Sequence, residues 1–263
     1  MKKVLKRGNV PPLLDSYLQT NPNNDWDQFT GNDRNGHAEV KGALRVDQRG
    51  LCAYCEIDLA LGNGKGLDDF RVEHFHPKKP HNPPPNHALN WQNLLAVCTG
   101  GNVRDLAASA RFTSPDHSCD VPKENHNWVG QILDPLTDIP AFPPLFSYEE
   151  NSGAMVVNRA SCPVHLVSKA EASIEKLLLS PQQTATPSDS RLLRFRKAVI
   201  DKLREELQAR LESGLSVPEA SERLAEAHFP ANHDSPWPAF FSCVRWYLGP
   251  AAEARLHAIG YQG

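Results

Sequence analysis

The stretch Leu51-Cys-Ala-Tyr-Cys-Glu56, followed by Val72-Glu-His-Phe-His-Pro-Lys78 and Asn90-Trp-Gln-Asn-Leu-Leu-Ala-Val-Cys98, decides how this chain is read. It gathers a Cys-x-x-Cys pair, a carboxylate beside a histidine, a spaced asparagine and a third cysteine within residues 51–98. Cys52 and Cys55 flank a turn, which allows two thiolates to bind one Zn²⁺ at about 2.3 Å each. A redox reading of this pair requires it to open a helix after a strand in a βαβ unit, and the flanking residues supply no such unit. A closed zinc site needs four ligands. Cys98 and Cys119 lie downstream in the same segment, with His117 or His126 as alternatives to one thiolate. Cys162 and Cys243 fall outside the motif and read as core thiols.

Composition sets the outer bounds. At 263 residues, 40% of them hydrophobic and 22% charged, the chain is long enough for one large domain or two small ones with a real core. No apolar run approaches the length of a membrane span. The basic start, Met1 to Asn9, lacks the apolar stretch of a signal peptide, so a cytoplasmic protein without membrane contact is expected. In that reducing setting six cysteines do not read as a disulfide framework. Net charge is −3, yet residues 1–128 carry 15 Lys+Arg against 15 Asp+Glu, so the deficit lies in 129–263. Lys65, Arg71, Lys78 and Lys79 cluster around the motif, with Arg104, Arg111 and Lys123 beyond. A locally positive groove is consistent with this, whereas strong autonomous affinity for polyanions is not.

Along the chain, residues 1–50 read as an arm and helix docked through Leu13, Leu14, Tyr17, Trp26 and Phe29. Segments 51–61 and 67–75 read as two hairpin strands joined by the turn-rich 62–66, then a proline-rich loop over 77–85. A helix is expected to start within 89–95 and close a ββα unit over 51–127. Residues 128–164 read as a linker and a second hairpin, with strands at 145–148 and 154–157. From 165 to 263 the periodicity is helical, with helices over 165–179, 190–213, 217–228 and 237–259. The fold class is therefore α+β.

These motifs resemble the HNH nucleases, and most closely the PtuB-like proteins of Septu and retron anti-phage systems. The resemblance rests on Cys52–Glu56, Val72–Lys78, Asn90–Cys98, Gly100–Asn102 and Cys119–Lys123, and covers residues 40–125. It implies a ββα-metal core with a loop stapled by Zn²⁺ on Cys52, Cys55, Cys98 and Cys119, plus a mostly helical C-terminal region. It implies that His74 is the general base for phosphodiester hydrolysis, since histidine is the side chain naturally tuned near neutral pH. Asn93 would fix the loop that presents His74 or orient its imidazole by hydrogen bonding. Glu73 and Asp120 would hold a catalytic Mg²⁺ or Mn²⁺, both being hard oxygen ligands. Lys78, Lys79 and Lys123 would meet nucleic-acid phosphates.

The resemblance further implies DNA as substrate, a PtuA-like ABC-type ATPase as partner, and in retron versions a reverse transcriptase with its RNA–DNA product. The chain has no Walker loop, so any nucleotide dependence would come from that partner. Residues 165–263 would dock to it through Trp237, Phe240, Phe241, Trp246 and Tyr247, unless those aromatics form the region's own core. The competing reading is a zinc-containing nucleic-acid-binding or structural subunit of a defence complex that does not itself cleave.

Overall fold

In the computed structural model, which describes residues 1–106, 108–112, 117–181, 190–232 and 235–263, helices surround two small antiparallel sheets. The N-terminal arm folds as α1 (Pro12–Thr20), α2 (Trp26–Asn32) and α3 (Arg34–Asp47). Asp25 starts α2 with a reciprocal capping box, accepting from Gln28 N while Gln28 accepts from Asp25 N. Leu14, Trp26, Phe29, Val40 and Leu44 are buried, so the arm is part of the core, although Leu13 stays exposed.

The first sheet differs from the sequence expectation. Strand β1 (Phe70–His74) pairs antiparallel with β2 (Leu94–Cys98), in the register Phe70 opposite Cys98 through His74 opposite Leu94. Residues 51–61 form no strand. They make a tight knuckle, in which Cys52 N donates to Ile57 O and Glu56 N to Cys52 O, with one isolated bridge between Leu51 and Asp58. The expected helix over 89–95 is a single 3₁₀ turn, Trp91–Asn93, running straight into β2. All five residues of β2 are buried, and a short run buried on both faces carries no period to separate strand from helix. Among the described residues no α-helix occurs between β2 and Val164, so the helix of the expected ββα unit is not found there.

The free edge of β2 is closed by side-chain and knuckle groups. Gln48 accepts from Ala96 N and donates to Ala96 O, while Ala53 N also donates to Ala96 O. This docks α3 and the cysteine knuckle onto the sheet, because a buried strand edge must have its amides and carbonyls satisfied.

The second hairpin, β3 (Phe146–Tyr148) with β4 (Met155–Val157), forms where expected, followed by α4 (Val164–Lys176), α5 (Arg191–Glu212) and α6 (Val217–His228). The last predicted helix is split into α7 (Phe241–Leu248) and α8 (Pro250–Ala258). Gly249 lies between them at φ +52, which favours glycine, and Pro250 then opens α8. One hydrophobic cluster runs from Met1 and Val4 through the cysteine motif to Phe240 and Cys243. Trp237, Phe240 and Phe241 are buried, and Trp246 and Tyr247 are half-buried, so these aromatics serve the chain's own core.

Candidate functional site

The cysteines come together. Cys52 and Cys55 hang from the knuckle, Cys98 ends β2, and Cys119 sits in the following turn with φ +64. All four are buried, and their sulfurs lie within 4.8 Å of one another. Neighbouring sulfurs are 3.6 Å (Cys98–Cys119), 3.7 Å (Cys55–Cys98) and 3.9 Å (Cys52–Cys119) apart. A tetrahedron with arms of about 2.3 Å has edges of roughly 3.8 Å, so the spacing fits one Zn²⁺. Cys98 N also donates to Cys52 Sγ at 3.3 Å, an outer contact that favours a thiolate there. The loop closes because Gly100 at φ +66 lies against Ser118, whose carbonyl would be 2.3 Å from an added Cβ. His117 and His126 are not in the cluster.

His74 ends β1 and is buried, with 5% of its surface exposed. Its Nε2 lies 3.0 Å from Ala88 O, which fixes Nε2–H as donor and leaves the lone pair on Nδ1. The ring meets Trp26 edge-on, with centroids 4.9 Å apart. Burial pulls its pKa down to about 4, so the imidazole is neutral at physiological pH. Asn93 clamps the segments on either side: its Oδ1 accepts from His76 N at 2.6 Å, and its Nδ2 donates to His76 O and His87 O, both at 2.8 Å. His76 and His87 stack, with centroids 3.7 Å apart.

The carboxylates are arranged otherwise than the sequence suggested. Alternation along β1 turns Glu73 to the opposite face from His74. Glu73 Oε1 pairs with Lys123 Nζ at 2.7 Å and accepts from Tyr54 OH at 3.4 Å. Burial pushes its pKa up to about 7, against the pull of Lys123. Asp120 is engaged at both oxygens by Arg71, at 2.5 and 2.9 Å. A divalent ion held by Glu73 and Asp120 would have to displace both cations and would face away from the His74 ring. The residues as arranged do not fit the expected Mg²⁺ site.

One of the expected phosphate contacts, Lys123, is corrected as well. Lys123 is fully buried, and besides Glu73 it donates to His74 O at 3.0 Å, so it is an internal cation. Lys78 and Lys79 both pair with Asp27 of α2, at 2.6 and 3.3 Å. Arg111 pairs with Asp58 and Asp69. Sequence reading takes Trp26 only as a core residue and Arg71 only as one of the cations around the motif, and it misses Tyr54 and the Ala88 carbonyl; the Asp25–Gln28 capping box is the signal that sets Trp26 at the start of a helix.

No family model matches the chain. It is similar to a protein of Escherichia coli named as a candidate HNH endonuclease of Retron Ec83, with 35% identity over 175 residues. That match takes in 62% of this chain and 64% of the relative. It is also similar to the corresponding protein of Retron Vc95 from Vibrio cholerae, with 29% identity over 100 residues, 37% of this chain and 46% of the relative. The chain thus spans less than two thirds of the length of these curated relatives. No described helix is long and apolar enough to cross a membrane.

Proposed function

We propose that this chain is an HNH-type endonuclease that hydrolyses nucleic-acid phosphodiester bonds, with His74 as the base and a zinc-bound Cys₄ knot as the staple of its scaffold. The observation that carries this reading is the position of His74. It is held as a neutral Nε2–H tautomer at the end of β1, beside a loop clamped by Asn93, on the strand paired with the one that ends at Cys98. Nδ1 of His74 would take the proton from the attacking water, and the departing sugar oxygen would be protonated from solvent. Removing such a base costs on the order of 10² to 10⁴ in rate. Zinc bound by the thiolates would contribute folding free energy and rigidity and take no part in bond cleavage.

The relatives' names support nuclease chemistry and a retron setting; DNA as the substrate, a role in anti-phage defence, and assembly with an ABC-type ATPase or with a reverse transcriptase and its RNA–DNA product belong to the proposal. Docking of such a partner on residues 165–263 would use exposed side chains such as Leu178 or Val217, because the C-terminal aromatics are largely taken up by the core. The competing reading, a zinc-bearing subunit without cleavage, is favoured by one observation: both carboxylates expected to hold the catalytic metal, Glu73 and Asp120, are closed in ion pairs. Incubating the purified chain with supercoiled plasmid and Mg²⁺, alone and with an ABC-type ATPase of the proposed kind, separates the two. Nicking is expected, and intact plasmid under every condition would favour the non-cleaving subunit.

A further inference from the structure

We propose that residues 22–29 form an autoinhibitory strap that shuts His74 away from nucleic acid, with Asp27 standing in for a phosphate on Lys78 and Lys79. The inference rests on the reading of His74 as a site for nucleic acid and names how that site is regulated. Three sets of contacts lay the strap across the proline-rich loop. The Trp26 ring covers His74, and the two side chains are only 6% and 5% exposed. Asp27 neutralises the two lysines that the sequence offers to a polyanion. The backbone ahead of α2 is held by the loop: Asn86 Nδ2 donates to Pro22 O and Asn24 O, both at 2.9 Å, and His81 Nε2 donates to Asn23 O at 2.9 Å.

The strap is built for release at one end. Phe29 and Leu14 are completely buried, which anchors the C-terminal half of α2 and the preceding helix. The Asp27 end is half exposed, and exposed ion pairs contribute little to stability and are screened by salt. A nucleic-acid phosphate carries the same charge as the Asp27 carboxylate and would compete for the same two ammonium groups. Once that carboxylate leaves, the polar contacts from the strap to the rest of the chain among the described residues, beyond its neighbours in sequence, are those of Asn86 and His81 with its backbone and that of Asn24 Nδ2 with Tyr17 OH at 2.8 Å.

The test compares the full-length wild type with Asp27→Asn, Asp27→Lys and a control, Asp15→Lys, in which the same charge is reversed at an exposed position of α1. The first readout is the rate at which diethyl pyrocarbonate modifies His74, followed by peptide mass spectrometry. It requires no catalysis. Loss of two exposed pairs predicts roughly twofold to thirtyfold faster modification in both Asp27 variants, with the control unchanged. The second readout is binding and cleavage of a labelled oligonucleotide, which should increase in the same order. Equal His74 modification in wild type and Asp27→Lys, or an equal increase in Asp15→Lys, overturns the strap. Faster modification without cleavage in any variant would leave the strap standing and remove the nuclease reading instead.

Discussion

Replacing Lys123 by Met should destabilise the fold strongly at pH 8 and much less at pH 5. Lys123 Nζ is fully buried between Glu73 Oε1 at 2.7 Å and His74 O at 3.0 Å. Removing one partner of such a pair leaves a buried charge uncompensated, which costs about 3–5 kcal/mol. The unmade hydrogen bond to His74 O adds about 1–3 kcal/mol. Glu73 titrates at about 7 even with Lys123 beside it, so by pH 5 it is already protonated in the wild type. The cost of the substitution there should fall to about 1–3 kcal/mol, that of the unmade hydrogen bond. Glu73→Gln combined with Lys123→Met removes both charges and should recover most of the loss at pH 8. Urea unfolding of the four proteins at both pH values measures the cycle. An equal loss at pH 5 and pH 8, or a double variant as unstable as Lys123→Met, would show that Lys123 acts through packing and refute the ion-pair account.

Three further outcomes are expected. His74 titrates at about 4 in the fold against an ordinary 6.5, so its contribution is present above pH 6.5 and lost as pH falls toward 4; Glu73, at about 7 against 4.5, contributes stability below pH 4.5 that is lost as pH rises toward 7. The two contributions, about 3 kcal/mol each, oppose one another between pH 4.5 and 6.5, so Glu73→Gln should lose stability on acidification and His74→Ala should gain it; denaturant midpoints with the reverse slopes would contradict the assignment. Cys52→Ser should lower zinc to well below one per chain and reduce soluble yield, as read by elemental analysis, and folded wild type without zinc would remove the Cys₄ site. A chain ending near residue 160 should fail to fold, because it loses the Ser242 groups that donate to buried Glu56 and the Arg191 guanidinium that donates to Ser118 Oγ beside Cys119; a soluble, zinc-bearing fragment would show these contacts to be dispensable.

The parts legible in the sequence were those fixed by local chemistry. Cysteine spacing announced the knuckle, and the α5 and α6 periodicities gave helices within a residue or two of their observed bounds. Two roles were open to Asn93, and its bonds run to the backbone of His76 and His87, because an amide can accept from one stretch of backbone and donate to others. Strand β2 was hidden by its complete burial, and Gln48 was hidden because a side chain standing in for a strand edge has no pattern. The pairing partners of Glu73, Asp120, Lys78 and Lys79 were out of reach for the same reason. Each lies 49 to 52 residues from its partner, brought there by the docking of α2 and of the Cys119 turn. The aromatics of α7 could be read as core or as interface, and only burial distinguishes these.

The central claim, that His74 is the base of a nuclease, is tested most directly by single-turnover cleavage of a labelled duplex by wild type and His74→Ala, with zinc content measured on the same samples. The account predicts equal zinc and a rate lower by about 10² to 10⁴ in the variant. Cleavage by His74→Ala at the wild-type rate, with zinc retained, would contradict it.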